Sequence, residues 1–135
     1  MPTIDNLTTK KTDYKVVCNS NIVFLLTAIY ILQYKPAYGI LFALVGYCSH
    51  KHHSNITHLG YRILDWLFAI ITFIIFTNCY YDKLNYIYIT SFIVAICFWF
   101  SSSIAWSYGY THLYSTLHSL WHIIVCLEAI KLIIL

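Results

Sequence analysis

Long apolar runs dominate this sequence. They cover residues 20–34, 37–53, 59–80, 84–106 and 112–135, and short polar breaks separate them. A helix rises about 1.5 Å per residue and needs about 20 apolar residues to cross the hydrocarbon of a bilayer. The last three runs satisfy that length. The first two are shorter and would need snorkelling flanks or a hairpin bent at Pro36, and we predict that both span.

The composition agrees with lipid as the solvent. Of the 135 residues, 60% are hydrophobic and 10% are charged, whereas about 25% are charged in an average soluble domain. Because lipid offers the backbone no hydrogen-bond partner and the runs lack the alternation of barrel strands, the spans are predicted to be helices. The sequence therefore predicts an all-α integral membrane bundle of about five transmembrane helices at 20–135, after a polar N-terminal segment at 1–19.

Basic residues indicate how this bundle is oriented. The formal net charge is +3, and Lys10, Lys11 and Lys15 stand before the first apolar run. Positive residues are retained on the cytoplasmic side of a membrane, so we predict a cytoplasmic N-terminus, with the loop at 52–58 on the same side. The basic stretch is a topology signal and does not imply a nucleic-acid partner.

Histidines inside the apolar runs are candidates for a site, because ionisable groups are costly in lipid and tend to face a protein interior. His118 and His122 are four residues apart, which stacks them on one helical face where both can bind one ion. Catalytic zinc commonly has three protein ligands and one open position, so a third ligand is needed. We choose His53, at the end of the second run, and His58 is the alternative.

The alternation of the spans places these groups at one membrane face. The second span ends where the third begins, the fourth returns to that face, and the fifth starts from it. Ser49 and His53 close the second span, Asp65 lies near the start of the third, and His118 and His122 lie near the start of the fifth. We therefore expect these five side chains to lie toward the same face.

Structural roles offer other interpretations of some charged residues. Asp65 could pair with Arg62, three residues earlier on the same helix, and the histidines at 50–58 could form a solvated loop. Glu128 and Lys131 are also three residues apart, and we expect them to satisfy one another outside the site.

Three short motifs resemble a known group of membrane hydrolases. They are Ser49-His50-Lys51-His52-His53, Leu64-Asp65-Trp66 and His118-Ser119-Leu120-Trp121-His122. A Ser and a His four apart at the end of one helix, an Asp at the start of the next and HxxxH in the last are the signature of that group. It is the CREST superfamily, which joins the alkaline ceramidases, the adiponectin-type receptors and the myomaker-like proteins.

The resemblance implies a Zn²⁺ ion held by His53, His118 and His122, with Asp65 and Ser49 positioning a zinc-bound water. The implied reaction is hydrolysis of an amide or ester bond in a membrane lipid such as a ceramide. Members of the superfamily typically have seven spans, whereas this chain has room for about five and would be a shortened form. Two alternatives stay open: a non-enzymatic structural or interaction protein with a degenerate metal site, and a haem-binding membrane protein.

Overall fold

The protein is built from α-helices that follow one another with short connections. The computed structural model describes residues 15–55, 58–83 and 86–134. Within these ranges the helices are α1 (Ile22–Leu32), α2 (Pro36–Ser54), α3 (Leu59–Cys79), α4 (Tyr86–Ser107) and α5 (Thr111–Ile134). A 3-10 turn at Tyr81–Lys83 follows α3, and no strand occurs among the described residues. The prediction of an all-α bundle is confirmed.

Within the described residues, four helical stretches are long and apolar enough to cross a membrane. They are Lys15–Leu32, Leu59–Cys79, Tyr86–Ser107 and Thr111–Ile133. The second predicted span is not among them, although α2 has 19 residues and is about 28 Å long. What sets α2 apart is its polar end, because its sequence closes on Ser-His-Lys-His-His-Ser.

The first span gains its length at its N-terminal end. Residues 15–20 are helical and lead into α1 through a turn at Asn21. Val17 is fully buried, so the bundle takes in part of the segment 1–19 that the sequence assigned to a polar extension. Lys10 and Lys11 of that segment lie outside the described residues.

Several polar side chains are buried inside the bundle, whereas many large apolar ones are exposed on its outside. Ser49, His53, Ser102 and Glu128 are all buried. The outer surfaces of α3 and α4 carry large apolar side chains, which include Leu59, Ile63, Leu67, Ile70, Ile74, Ile89, Ile93, Ile96 and Phe100. Large apolar side chains on the outside, with polar groups kept inside the bundle, suit a bilayer.

The packing order of the helices leaves one open side. α2 packs between α1 and α3, α1 also packs on α5, and α5 packs on α4. Among the described residues, α3 and α4 are not packed along their lengths, and both line one cavity. Phe73 of α3 and Phe92 of α4 meet across this side with their ring centroids 5.5 Å apart.

Glycines allow α1 and α2 to approach closely. A Cβ placed on Gly46 would lie 2.7 Å from the Cβ of Phe24. Gly39 lies seven residues earlier on the same face of α2. A Cβ placed on it would lie 2.8 Å from the backbone N and 2.9 Å from the Cα of Leu32. Small residues of this kind let helices pack backbone to backbone within a membrane.

The variant Gly46→Ala should therefore lower the free energy of unfolding by about 1–3 kcal/mol, the usual cost of overpacking. A contact between two Cβ atoms cannot be relieved by rotating a side chain, so α1 and α2 must separate. Phe24 also contacts the ring of His122, with centroids 5.0 Å apart, so the displacement should reach the centre of the bundle. Denaturant unfolding in detergent, followed by circular dichroism, measures the change.

Gly60→Ala is the matched control for this variant. Its Cβ would meet only the ring atoms of exposed His58, the nearest at 3.1 Å, and that ring can turn away. Equal stability of the Gly46→Ala and Gly60→Ala proteins would contradict the close approach of α1 and α2.

Candidate metal centre

Three histidines meet inside the bundle. His53 comes from the last turn of α2, and His118 and His122 come from the first half of α5. One ring nitrogen of each lies within 4.8 Å of the others. The ring centroids are 4.8 Å apart for His118 and His122 and 4.9 Å apart for His53 and His118. This group of three nitrogen donors can hold a metal ion.

Helix geometry explains why these three residues converge. The spacing of four residues stacks His118 and His122 along one face of α5. His53 reaches them because α2 ends at the same end of the bundle at which α5 begins. His53 and His122 are buried, and all three rings border one cavity.

Serine side chains contact two of the three rings. Ser20 Oγ lies 2.9 Å from Nδ1 of His122, and Ser102 Oγ lies 3.2 Å from Nδ1 of His118. Both contacts leave the Nε2 atoms of these rings available for other bonds.

His53 differs from the other two histidines. Both of its ring nitrogens are buried, and neither has a hydrogen-bond partner among the described residues. Buried polar atoms without a partner are rare and costly, so an unpaired imidazole here calls for a ligand. Three imidazoles with one open position are a donor set that zinc uses in catalytic sites. The residues present therefore fit a zinc ion.

Asp65 approaches the same cluster from α3. Its Oδ2 accepts a hydrogen bond from Nδ1 of His52, at 2.8 Å. His52, His53 and Asp65 form a second group whose ligand atoms lie within 4.8 Å of one another. The alternative pairing of Asp65 with Arg62 is not formed, because the ion pair that Asp65 makes among the described residues is with His52.

The other residues singled out in the sequence take different places. Ser49 is buried on α2, one turn before His53, and lines the same cavity. His58 is exposed before α3 and packs against Tyr61 with ring centroids 4.5 Å apart, away from the cluster. The predicted pair in α5 is confirmed, since Lys131 Nζ lies 2.9 Å from Glu128 Oε1.

The cavity beside the cluster is long and mainly apolar. Its volume is about 400 Å³. On α3 its lining extends from Arg62 to Phe76, and the twelve residues from Asp65 to Phe76 span about 16 Å of helix. His52, Arg62 and Asp65 form its polar end, and aromatic rings dominate the rest. All four tryptophans of the chain line it: Trp66, Trp99, Trp106 and Trp121.

Three residues of the site were missed by the sequence prediction. His52 has no site role in the sequence prediction, although its place next to His53 at a helix end is a usable signal. Ser102 belongs to a run of three serines inside an apolar span, which is also a signal that can be found in the sequence. Ser20 has no such signal, because it contacts a residue 102 positions away.

Comparisons with known proteins add no relative to this geometry. The chain matches no protein-family model, no curated protein and no solved structure. The function therefore has to be inferred from the residues of the site.

Proposed function

We propose that this chain is a membrane protein that binds one Zn²⁺ through His53, His118 and His122 and hydrolyses an amide or ester bond of a lipid. The observation that carries the proposal is the meeting of these three histidines with a carboxylate at the polar end of a long apolar cavity. The motifs that resemble those of the alkaline ceramidases and their relatives support the same reaction.

The donor set suits hydrolysis. When bound, zinc polarises a carbonyl group and lowers the pKa of water toward 7. Three protein nitrogens leave a coordination position for water or substrate. The chemistry then needs a group that accepts a proton and a surface that orients the lipid.

Asp65 is suited to accept the proton. The Nδ1–H of His52 holds Oδ2 of Asp65, which leaves Oδ1 to take a proton from the attacking water. Water adds to the carbonyl carbon, the bond to the leaving nitrogen or oxygen breaks, and the proton held at Oδ1 passes to the leaving group. The products are a carboxylic acid and an amine or alcohol. Ser49, buried one turn before His53, can orient the water by accepting or donating a hydrogen bond.

The cavity is suited to hold the acyl chain. Its apolar length of about 16 Å runs away from the histidines between α3 and α4. Since these two helices are not packed along their lengths, the cavity borders the lipid-facing side of the bundle. An acyl chain lying there would place its carbonyl beside the histidines and leave the rest of the lipid at the membrane face.

A structural or interaction protein that keeps a metal site is the second candidate. The lack of packing between α3 and α4 along their lengths, in the part of the chain that the structure describes, favours it. The unpacked side between α3 and α4 is then a place where another helix could bind.

Purified protein in detergent separates these candidates. We expect zinc at near one ion per chain by elemental analysis, and release of a fatty acid from matched amide-linked and ester-linked lipids by mass spectrometry. A chelator should abolish the release, and added zinc should restore it. A protein without zinc would refute the proposed site, zinc without turnover would favour the structural candidate, and a Soret band would indicate haem.

A further inference from the structure

The two histidines of α5 each have a serine beside Nδ1. Ser20 lies 2.9 Å from His122, and Ser102 lies 3.2 Å from His118. The serines come from different parts of the bundle, Ser20 from the helical segment at 15–20 and Ser102 from α4. Both neighbours of α5 therefore contact a candidate ligand.

The hydroxyl groups show which way these hydrogen bonds run. Ser20 Oγ donates to the carbonyl oxygen of Val17 at 2.7 Å, and Ser102 Oγ donates to that of Trp99 at 2.6 Å. A hydroxyl has one proton to donate and two lone pairs to accept with, so each oxygen can only accept from the facing ring. Nδ1 of each histidine then carries the proton, and a neutral ring presents the lone pair of Nε2.

We infer that Ser20 and Ser102 are positioning residues that set His122 and His118 to bind zinc through Nε2, an inference that rests on the proposed zinc site. Metal-binding histidines commonly donate their other N–H to a protein acceptor, which fixes the tautomer and the orientation of the ring. His53 has no such partner at either nitrogen among the described residues. The rings of α5 thus form the prearranged part of the site, and His53 completes it.

Zinc affinity measured by competition with a chelating dye tests this inference. Ser20→Ala and Ser102→Ala should each weaken zinc binding by about 10- to 100-fold, the usual effect of losing such a contact. The absorption bands of the cobalt(II) protein should change in both variants, because the ligand rings are no longer held. Ser20→Thr should keep more of the parent affinity than Ser20→Ala, since threonine retains the hydroxyl.

Ser107→Ala is the matched control. Ser107 lies on α4 like Ser102 and also donates to a carbonyl three residues earlier, that of Ile104 at 2.7 Å. It is exposed and its hydroxyl bonds to Ile104 and not to a histidine ring, so the Ser107→Ala protein should have the zinc affinity and cobalt spectrum of the parent.

Two outcomes would overturn the inference at different levels. Folded Ser20→Ala and Ser102→Ala proteins with parental zinc affinity and cobalt spectra would overturn the role of the serines alone. A parent protein that binds no zinc would overturn the proposed function as well. Nitrogen-15 NMR of the unsubstituted zinc protein is independent of variant folding: we expect protons on Nδ1 of His118 and His122, and a proton on Nε2 of either would overturn the inference.

Discussion

Replacing His118 and His122 together by alanine should leave the protein without bound zinc and without lipid hydrolysis. The double variant removes two of the three nitrogen donors that lie within 4.8 Å of one another, so His53 alone remains. The affinity for zinc should fall by more than about 100-fold. That is the upper end of the loss expected when only a hydrogen bond to a metal-binding side chain is removed. Elemental analysis after gel filtration and fatty-acid release from lipids measure the two effects.

A second double variant, His58→Ala with His112→Ala, is the matched control for histidine content. Both residues are exposed, and neither belongs to the cluster of His53, His118 and His122. The control should keep its zinc and its turnover, and it also tests His58 as the alternative third ligand. Zinc retained by the His118→Ala, His122→Ala protein, or lost by the control, would contradict the assignment of ligands.

The helices, and the placement of His118 and His122 on one face of α5, could be predicted because they depend on short-range periodicity. Four residues make about one helical turn, so the spacing of His118 and His122 was enough to place both on one face. The approach of His53 needed only one further premise, that successive helices alternate in direction. These features depend on neighbours in sequence and on the length of the helices.

Other features could not be predicted because they depend on packing between distant residues. Ser20 contacts His122 only because the segment at 15–20 lies against α5, and nothing in the spacing of the polar N-terminal residues indicates this. The choice of His52 over Arg62 as the partner of Asp65 depends on how α2 and α3 pack. If only contacts within α3 are considered, Arg62 is favoured as the partner, because it lies three residues before Asp65 on the same helix.

The span count also shows where hydropathy stops being decisive. α2 is nearly long enough to cross a bilayer, yet its last turn carries the polar residues that build the site. Burial of Ser49 and His53 against the other helices removes the need for an apolar sequence at that end. A helix that contributes to a site is thus the one that a hydropathy threshold is most apt to miss.

Replacing Asp65 by asparagine should abolish most of the turnover and leave the zinc content unchanged. Asparagine has nearly the shape of aspartate and can still pair with His52, but its amide cannot take a proton from water. Removing a positioned acid–base group costs typically about 10²- to 10⁴-fold in rate, which we expect in the rate of fatty-acid release. Zinc should stay because the cluster of His53, His118 and His122 does not include Asp65.

His52→Ala separates the proton-accepting role of Asp65 from its positioning. The variant frees Oδ2 of Asp65 from its 2.8 Å hydrogen bond but keeps the carboxylate, so turnover should fall less than in Asp65→Asn. Asp82→Asn, in the exposed 3-10 turn after α3, is the control for loss of an acidic group. Parental turnover in Asp65→Asn would refute Asp65 as the base. Loss of zinc from Asp65→Asn would instead assign the ion to the group formed by His52, His53 and Asp65, because only that group uses the carboxylate as a ligand.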